Sequence, residues 1–288
     1  MPAIVCDSTC DLSPDLVARF GLTVVPLTVI HNGREYKDGV DLDTPALFAL
    51  VSQTGHLPTT AAPSAGEFAR ALEGADDPVC LTISSKLSAA NQNARLAAAE
   101  LAGRPRVIDS LNLSTGIGLL VLLAADLREQ GQSAAAIEAA VLAAVPKVRT
   151  SFVIETMEYL YKGGRCTALQ ALVGSLLKIR PVIAVRPDGT LGVKDKVRGT
   201  RKKALDSLLA DLEAHLPYLD GRRVFVTHTG CDADAAYMVA EIKRRAAPQE
   251  VLVTTAGAVI ASHCGPETIG VLYMLREEPP GAPRRTLR

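Results

Sequence analysis

Val79-Cys80-Leu81-Thr82-Ile83, then Ser84-Ser85-Lys86-Leu87-Ser88, then Ala89 to Ala102, then Arg106-Val107-Ile108 is the stretch that decides the fold. Four apolar residues and a threonine read as a buried strand, and the serine-rich segment reads as a loop. The Ala-rich run reads as a helix, and the next apolar triplet as a second strand. A strand, a helix and a strand joined this closely form a parallel crossover. Repeated along a chain, that unit gives a parallel sheet with helices on both faces.

The unit does repeat. Upstream, Ala3–Cys6 reads as a strand, and Ser13-Pro14 supplies a cap and a proline at the first helical position, with Gly21 as the stop. Leu22–Ile30 reads as one strand and Asn32-Gly33 as a hairpin turn. Asp43-Thr44-Pro45 opens a helix that closes at Gly55, and Ser64-Ala65-Gly66-Glu67 spells a capping box. Two Ala/Leu-rich helices follow Ile108, the second ending before Pro146. Beyond it the rhythm changes. Val148–Ile154, Pro181–Val185 and Leu191–Val197 read as strands, with Asp188-Gly189 as a hairpin. A helix from Thr200 to Leu216 precedes strands at Arg223–Thr227, Val251–Thr255 and Ile269–Leu275. The expectation is an α/β protein of two domains. Residues 1–150 form an N-terminal parallel-sheet α/β/α domain, and residues 151–288 a C-terminal α/β domain with a mixed sheet.

Composition narrows the class. Of 288 residues, 48% are hydrophobic but only 4% aromatic, so the core must be built from Ala, Leu and Val. Thirty-one basic residues balance 31 acidic ones, leaving no excess for tracking phosphates and arguing against nucleic acid as a partner. Six scattered cysteines (Cys6, Cys10, Cys80, Cys166, Cys231, Cys264) show no zinc spacing, so no metal is expected, and reduced thiols fit a cytoplasm. The opening MPAIVCDS lacks a charged segment before an apolar run, and Gly116–Ala125 is too short to span a bilayer. A soluble cytoplasmic protein is expected, with no membrane span and at most a transient membrane contact.

Short glycine- and hydroxyl-rich clusters carry the chemistry. Ser88 stands where a helix begins, outside the carboxyl end of a strand. There it caps its own helix or helps hold a carboxylate. Thr59-Thr60, ahead of Pro63, is turn chemistry or a pair of uncharged donors suited to an acid with an apolar tail. Gly163-Gly164-Arg165 ends a short helix opened by Thr156, with Arg165 on the surface or turned into a cleft. His263, before Gly265-Pro266, is a structural histidine or part of that same cleft. Arg198-Gly199-Thr200-Arg201-Lys202-Lys203 sets cations at a helix start against the dipole: a solvated face, or a dock for an acidic partner. The serine-hydrolase elbow, the phosphate-binding loop, the dinucleotide fingerprint and the zinc-protease motif are all absent. The rival to a binding protein is a small-molecule transferase or hydrolase that uses Ser8, Ser88 or a cysteine in an interdomain cleft.

In chain order, nine fragments resemble the DegV family, whose members bind fatty acids. They are IVCDSTCDLS (4–13), DGVDLD (38–43), PTTAAPS (58–64), ISSKLS (83–88), VIDSLNLSTG (107–116), MEYLYKGGR (157–165), GSLLKIRPV (174–182), VRGTRKKA (197–204) and HCGPETIG (263–270). The resemblance implies a two-domain α/β carrier, not an enzyme, holding a long-chain fatty acid in a buried tunnel as its only ligand. It implies too that the acyl carboxylate is presented to a fatty-acid kinase for acyl-phosphate formation. By the family's motifs, Thr60 and Ser88 bond the carboxylate, Arg165 and His263 lie near it, and Arg198 and Arg201 face the kinase. Ala61 and Ala62 stand where the family has serine and glutamine. Ala89-Ala90 replaces glycine–threonine, Asn91 an aromatic residue, and Glu267 the last glycine of a glycine–proline–glycine.

Overall fold

A computed structural model describes residues 1–103, 105–166 and 179–281. The chain opens with β1 (Ile4–Asp7), α1 (Pro14–Arg19) and β2 (Thr23–Val25). Next come β3 (Thr28–His31), β4 (Arg34–Lys37), α2 (Thr44–Thr54), β5 (Thr59–Ala61) and α3 (Ala65–Leu72). The crossover quoted first is β6 (Val79–Thr82), α4 (Ala90–Glu100) and β7 (Arg106–Asp109). Strands β2, β1, β6 and β7 lie side by side in that order, all parallel.

The expected strand Leu22–Ile30 is two strands in two sheets. Pro26 has no N–H for a ladder, and the chain leaves the parallel sheet there. β2 pairs with β1, whereas β3 pairs antiparallel with β4 and β5 in a separate three-stranded sheet. Asn32-Gly33 makes the β3–β4 hairpin with positive φ at both residues. Thr59–Ala61 is likewise a strand, with Thr60 opposite Val29, where the sequence reads as turn chemistry. The Asp43 cap, the left-handed Gly55 stop and the Ser64–Glu67 capping box stand as read.

Two helices, α5 (Thr115–Glu129) and α6 (Ala134–Ala144), lead to β8 (Val148–Val153) and α7 (Glu158–Lys162). After β9 (Ile179–Val185) and β10 (Leu191–Arg198) come α8 (Arg201–Ala214), β11 (Leu219–His228) and α9 (Asp232–Ala246). The chain then forms β12 (Glu250–Thr255), α10 (Ala258–Cys264) and β13 (Ile269–Leu275). The second large sheet is mixed, in the order β10-β9-β8-β13-β11-β12, with only the β11–β12 pair parallel. Helix α5 touches β1 and β6 of the parallel sheet and β8, β11 and β13 of the mixed one. Its first ten residues are therefore buried except Leu123, which is partly exposed, and this explains its apolar sequence. Helix α10 packs on α2, β3, β5 and α7, so a C-terminal helix closes over the small sheet.

Candidate functional site

Four elements bring the four expected head-group residues to one cavity of about 180 Å³. Thr60 comes from β5, Ser88 from the loop into α4, Arg165 from the segment after α7, and His263 from the last turn of α10. Much of the remaining wall is apolar, including Leu27, Ala61, Ala62, Leu160 and Ile260.

Thr60 and His263 are joined across 203 residues of sequence by a 2.8 Å bond between Oγ1 and Nε2. Burial, with the Arg165 charge adding to it, pushes the His263 imidazole down to about 4, so it is neutral at neutral pH. Its Nδ1 is buried and has no hydrogen-bond partner. An unpaired buried N–H costs more than an unpaired lone pair in the same place. The proton therefore belongs on Nε2, donated to Thr60, and the threonine's own hydroxyl proton is left for a ligand. Gly163 makes room for this ring: a Cβ there would lie 2.4 Å from Nδ1.

The N-cap of α4 is Ala89, without a side-chain cap, so Ser88 does not cap the helix as one reading had it. Its Oγ accepts the Ala90 N–H at 3.2 Å from one position upstream and keeps a proton to donate. The exposed Arg165 donates through Nη1 to the Gly163 carbonyl at 2.7 Å and through Nε to the Leu87 carbonyl at 3.5 Å. Among the described residues no carboxylate pairs with it, which leaves its charge for an anion at the cavity. The site thus offers two hydroxyl donors and one cation in the wall of a largely apolar space.

A second, smaller chamber of about 30 Å³ lies beyond a partition of Leu113, Ile260 and Cys264, residues common to both walls. Phe152, Gly270 and Leu272 of the mixed sheet line it, together with several threonines. Those hydroxyls are consumed within the protein. Thr150 donates to Asn112 Oδ1 at 2.8 Å, Thr229 to the Gly265 carbonyl at 2.8 Å, Thr268 to the Cys264 carbonyl at 2.9 Å. Thr227 bonds Thr115 at 2.7 Å. With their polar atoms engaged elsewhere, the threonines contribute methyl surface to a chamber suited to hydrocarbon.

The residues of the enzyme reading are occupied differently. Ser8 Oγ donates to Asp38 at 2.7 Å and accepts the Leu27 N–H at 3.1 Å, with no histidine beside it. Burial pushes the Cys264 thiol up to about 12 and that of Cys231 up to about 11; Cys6 and Cys80 are also raised, so none is a ready thiolate.

Departures from the family's motifs fall on both sides of the wall. Ala61, Ala62 and Ala89 line the cavity and make it more apolar. Asn91 is turned away, donating to Thr82 Oγ1 and accepting from Arg95, both at 2.9 Å. Glu267 adopts positive φ, with its carbonyl accepting from Arg201 at 2.7 Å.

Arg198 and Arg201 stand outside this cavity. Arg198 is exposed at the end of β10. Arg201 is not a free cation: its guanidinium pairs with Asp234 at 2.5 Å and Glu155 at 3.0 Å. Lys202 pairs with Asp206 at 3.0 Å. Acidic neighbours thus offset most of the unfavourable dipole placement read from sequence. Part of GSLLKIRPV, residues 174–178, lies outside the described residues. Sequence reasoning missed Leu113 as part of the site. It singled out the adjacent glycines at 163 and 164, though not that Gly163 makes room for the His263 ring.

Comparison with known proteins gives three kinds of match. A family model described as "Uncharacterised protein, DegV family" covers residues 1–276. A DegV domain-containing protein of Deinococcus radiodurans is 38% identical over 274 residues, 93% of this chain and 96% of its own. A solved structure on fatty acid binding of a DegV family protein from Thermus thermophilus superposes with a TM-score of 0.87. It is 38% identical and covers 95% of this chain and 99% of its own. The Streptococcus pneumoniae fatty acid kinase B3 protein, loaded with linoleic acid, gives a TM-score of 0.84. Its identity is 25%, over 96% of this chain and all of its own.

Proposed function

This chain belongs to the DegV family, and on that premise we propose that it binds one long-chain fatty acid and is not itself a catalyst. One observation carries the reading: a largely apolar cavity whose wall brings together Thr60, Ser88 and Arg165, linked by the Thr60–His263 bond and by the Arg165 bond to the Leu87 carbonyl beside Ser88. The carboxylate accepts from the Thr60 and Ser88 hydroxyls and meets the Arg165 charge, while neutral His263 orients Thr60. The tail runs past Leu113, Ile260 and Cys264 toward the second chamber, between the domains formed by residues 1–150 and 151–288. Burying each methylene contributes about 0.8 kcal/mol, so a 16-carbon acid gains roughly 11 kcal/mol before ordering costs. The apolar wall is therefore the main source of affinity, and the polar end sets orientation.

The relative in Streptococcus pneumoniae is a fatty acid kinase B3 protein, and by analogy this chain presents its acid to a kinase in the cytoplasm, loading through transient membrane contact. Arg198 is the exposed cation available for that docking, with Arg201 fixing the helix beside it. The test is denaturing extraction of the purified protein followed by mass spectrometry. A stoichiometric long-chain acid is expected. Protein that carries no lipid and takes none up on incubation would reject the reading.

A further inference from the structure

Two buried carboxylates sit behind the partition, and the binding step proposed above uses neither. Asp11 follows β1 and Asp38 follows β4; they are 5% and 3% exposed and neither lines a chamber. Among the described residues no cation pairs with either. A buried carboxylate without a cation must be held by several donors, and the donors here are specific. Asp11 accepts the Gly257 N–H at 2.9 Å on one oxygen and the Ser114 hydroxyl at 2.5 Å on the other. Asp38 accepts the Val259 N–H at 3.3 Å and the Ser8 hydroxyl at 2.7 Å.

These donors flank the partition on both sides. Ser114 directly follows Leu113 and is held at φ +53, a conformation that side-chain-bearing residues seldom adopt. Gly257 and Val259 open the helix that carries Ile260, His263 and Cys264. Gly257 is the residue that lets both carboxylates approach: a Cβ there would lie 2.9 Å from Asp38 Oδ1 and 3.2 Å from Asp11 Oδ1. Asp11 alone thus ties one wall of the passage to the other, and Asp38 steadies the second wall from the small sheet.

We infer that Asp11 and Asp38 are positioning residues that set the passage between the two chambers, and so determine how long an acyl chain is admitted. The inference rests on the fatty-acid reading and deepens it. A residue that merely stabilises the fold lowers affinity for every acid by a common factor. A residue that sets the passage lowers it selectively for acids whose tails must cross.

The experiment is a chain-length profile on delipidated protein, comparing hexadecanoic with decanoic acid, which has six fewer carbons to pass the partition. Asp11→Ala is expected to weaken hexadecanoic acid at least tenfold and decanoic acid less than threefold. Asp11→Asn, which keeps an acceptor for Gly257 and an amide for Ser114, should stay within threefold of the parent for both. Ser114→Ala removes a single hydroxyl and should show the same selectivity at about threefold, so it decides the matter if Asp11→Ala does not fold. Equal loss for both acids, or no loss, overturns the inference while leaving the fatty-acid reading intact. A parent protein that binds neither acid overturns both.

Discussion

Arg165 and Arg201 were both read from sequence as arginines with a purpose, and the fold has treated them oppositely. Arg201 is satisfied: Asp234, Glu155 and the Glu267 carbonyl occupy its guanidinium. Among the described residues Arg165 donates only to the carbonyls of Gly163 and Leu87, beside a cavity with two hydroxyls whose protons are unspent. A cation whose neighbours are acidic contributes to the fold, whereas one that meets only carbonyls keeps charge for a ligand. Sequence alone gives both the same weight, because the acids that neutralise Arg201 lie 33 and 46 residues away.

The largest effect expected from this contrast is a pH dependence confined to the Arg165 side. Folded His263 titrates at about 4, against 6.5 for the free side chain, because burial and then Arg165 disfavour its charge. A depressed histidine contributes stability that is full above pH 6.5 and is lost as pH falls toward about 4. At about 1.4 kcal/mol per unit this amounts to some 3 kcal/mol. His263→Gln should remove that share of the decline between pH 6.5 and 4 in urea unfolding. A difference curve with no slope across the window would mean the ring is charged in the folded chain.

Next in size are the two hydroxyl donors. Thr60→Val and Ser88→Ala should each weaken fatty-acid binding by about 1–3 kcal/mol, the range for hydrogen bonds to a charged group. Ser88→Ala should also cost about 1 kcal/mol of stability, because the Ala90 N–H at the start of α4 loses its acceptor. Unchanged affinity in both variants, measured by calorimetry, would put the carboxylate elsewhere.

Smaller still, and opposite in character, is Arg201→Gln. It should lower stability by about 1–2 kcal/mol, since Asp234 and Glu155 lose a partly buried partner, and leave fatty-acid affinity as it was. Arg198→Glu, on an exposed residue with no ion-pair partner among the described residues, should change stability by no more than about 0.5 kcal/mol. Should Arg198→Glu unfold the chain while Arg201→Gln does not, the contrast between a satisfied and a free cation would fail.

Local signals in the sequence located most elements. Asn32-Gly33, the Asp43 cap with Gly55, and the Ser64–Glu67 box each fix a boundary by backbone chemistry, and each stands in the structure. Leu22–Ile30 was read as one strand through Pro26, and nothing local says that its two halves join different sheets, because partner choice is a long-range matter. Helix α9 went unread. Its Cys231 supplies no side-chain cap, but Asp232 and Asp234 in its first turn and Lys243, Arg244 and Arg245 in its last follow the dipole. For the site, the family's motifs pointed to Thr60, Ser88, Arg165 and His263. The Thr60–His263 bond and the Leu113 partition arise from tertiary packing and had no local trace. The second chamber had no local trace for a related reason: its threonine hydroxyls look polar in sequence and are spent inside the fold.

Calorimetric titration of delipidated protein with hexadecanoic acid and with its methyl ester tests the central claim most directly. Two hydroxyl donors and an arginine without a carboxylate partner among the described residues, together in the wall of an apolar cavity, predict saturable binding of one acid per chain. The ester, which keeps the tail but loses the charge, should bind at least tenfold more weakly, about 1.4 kcal/mol. Equal binding of acid and ester, or no saturable binding of either, would contradict the assignment of Thr60, Ser88 and Arg165 as a carboxylate site.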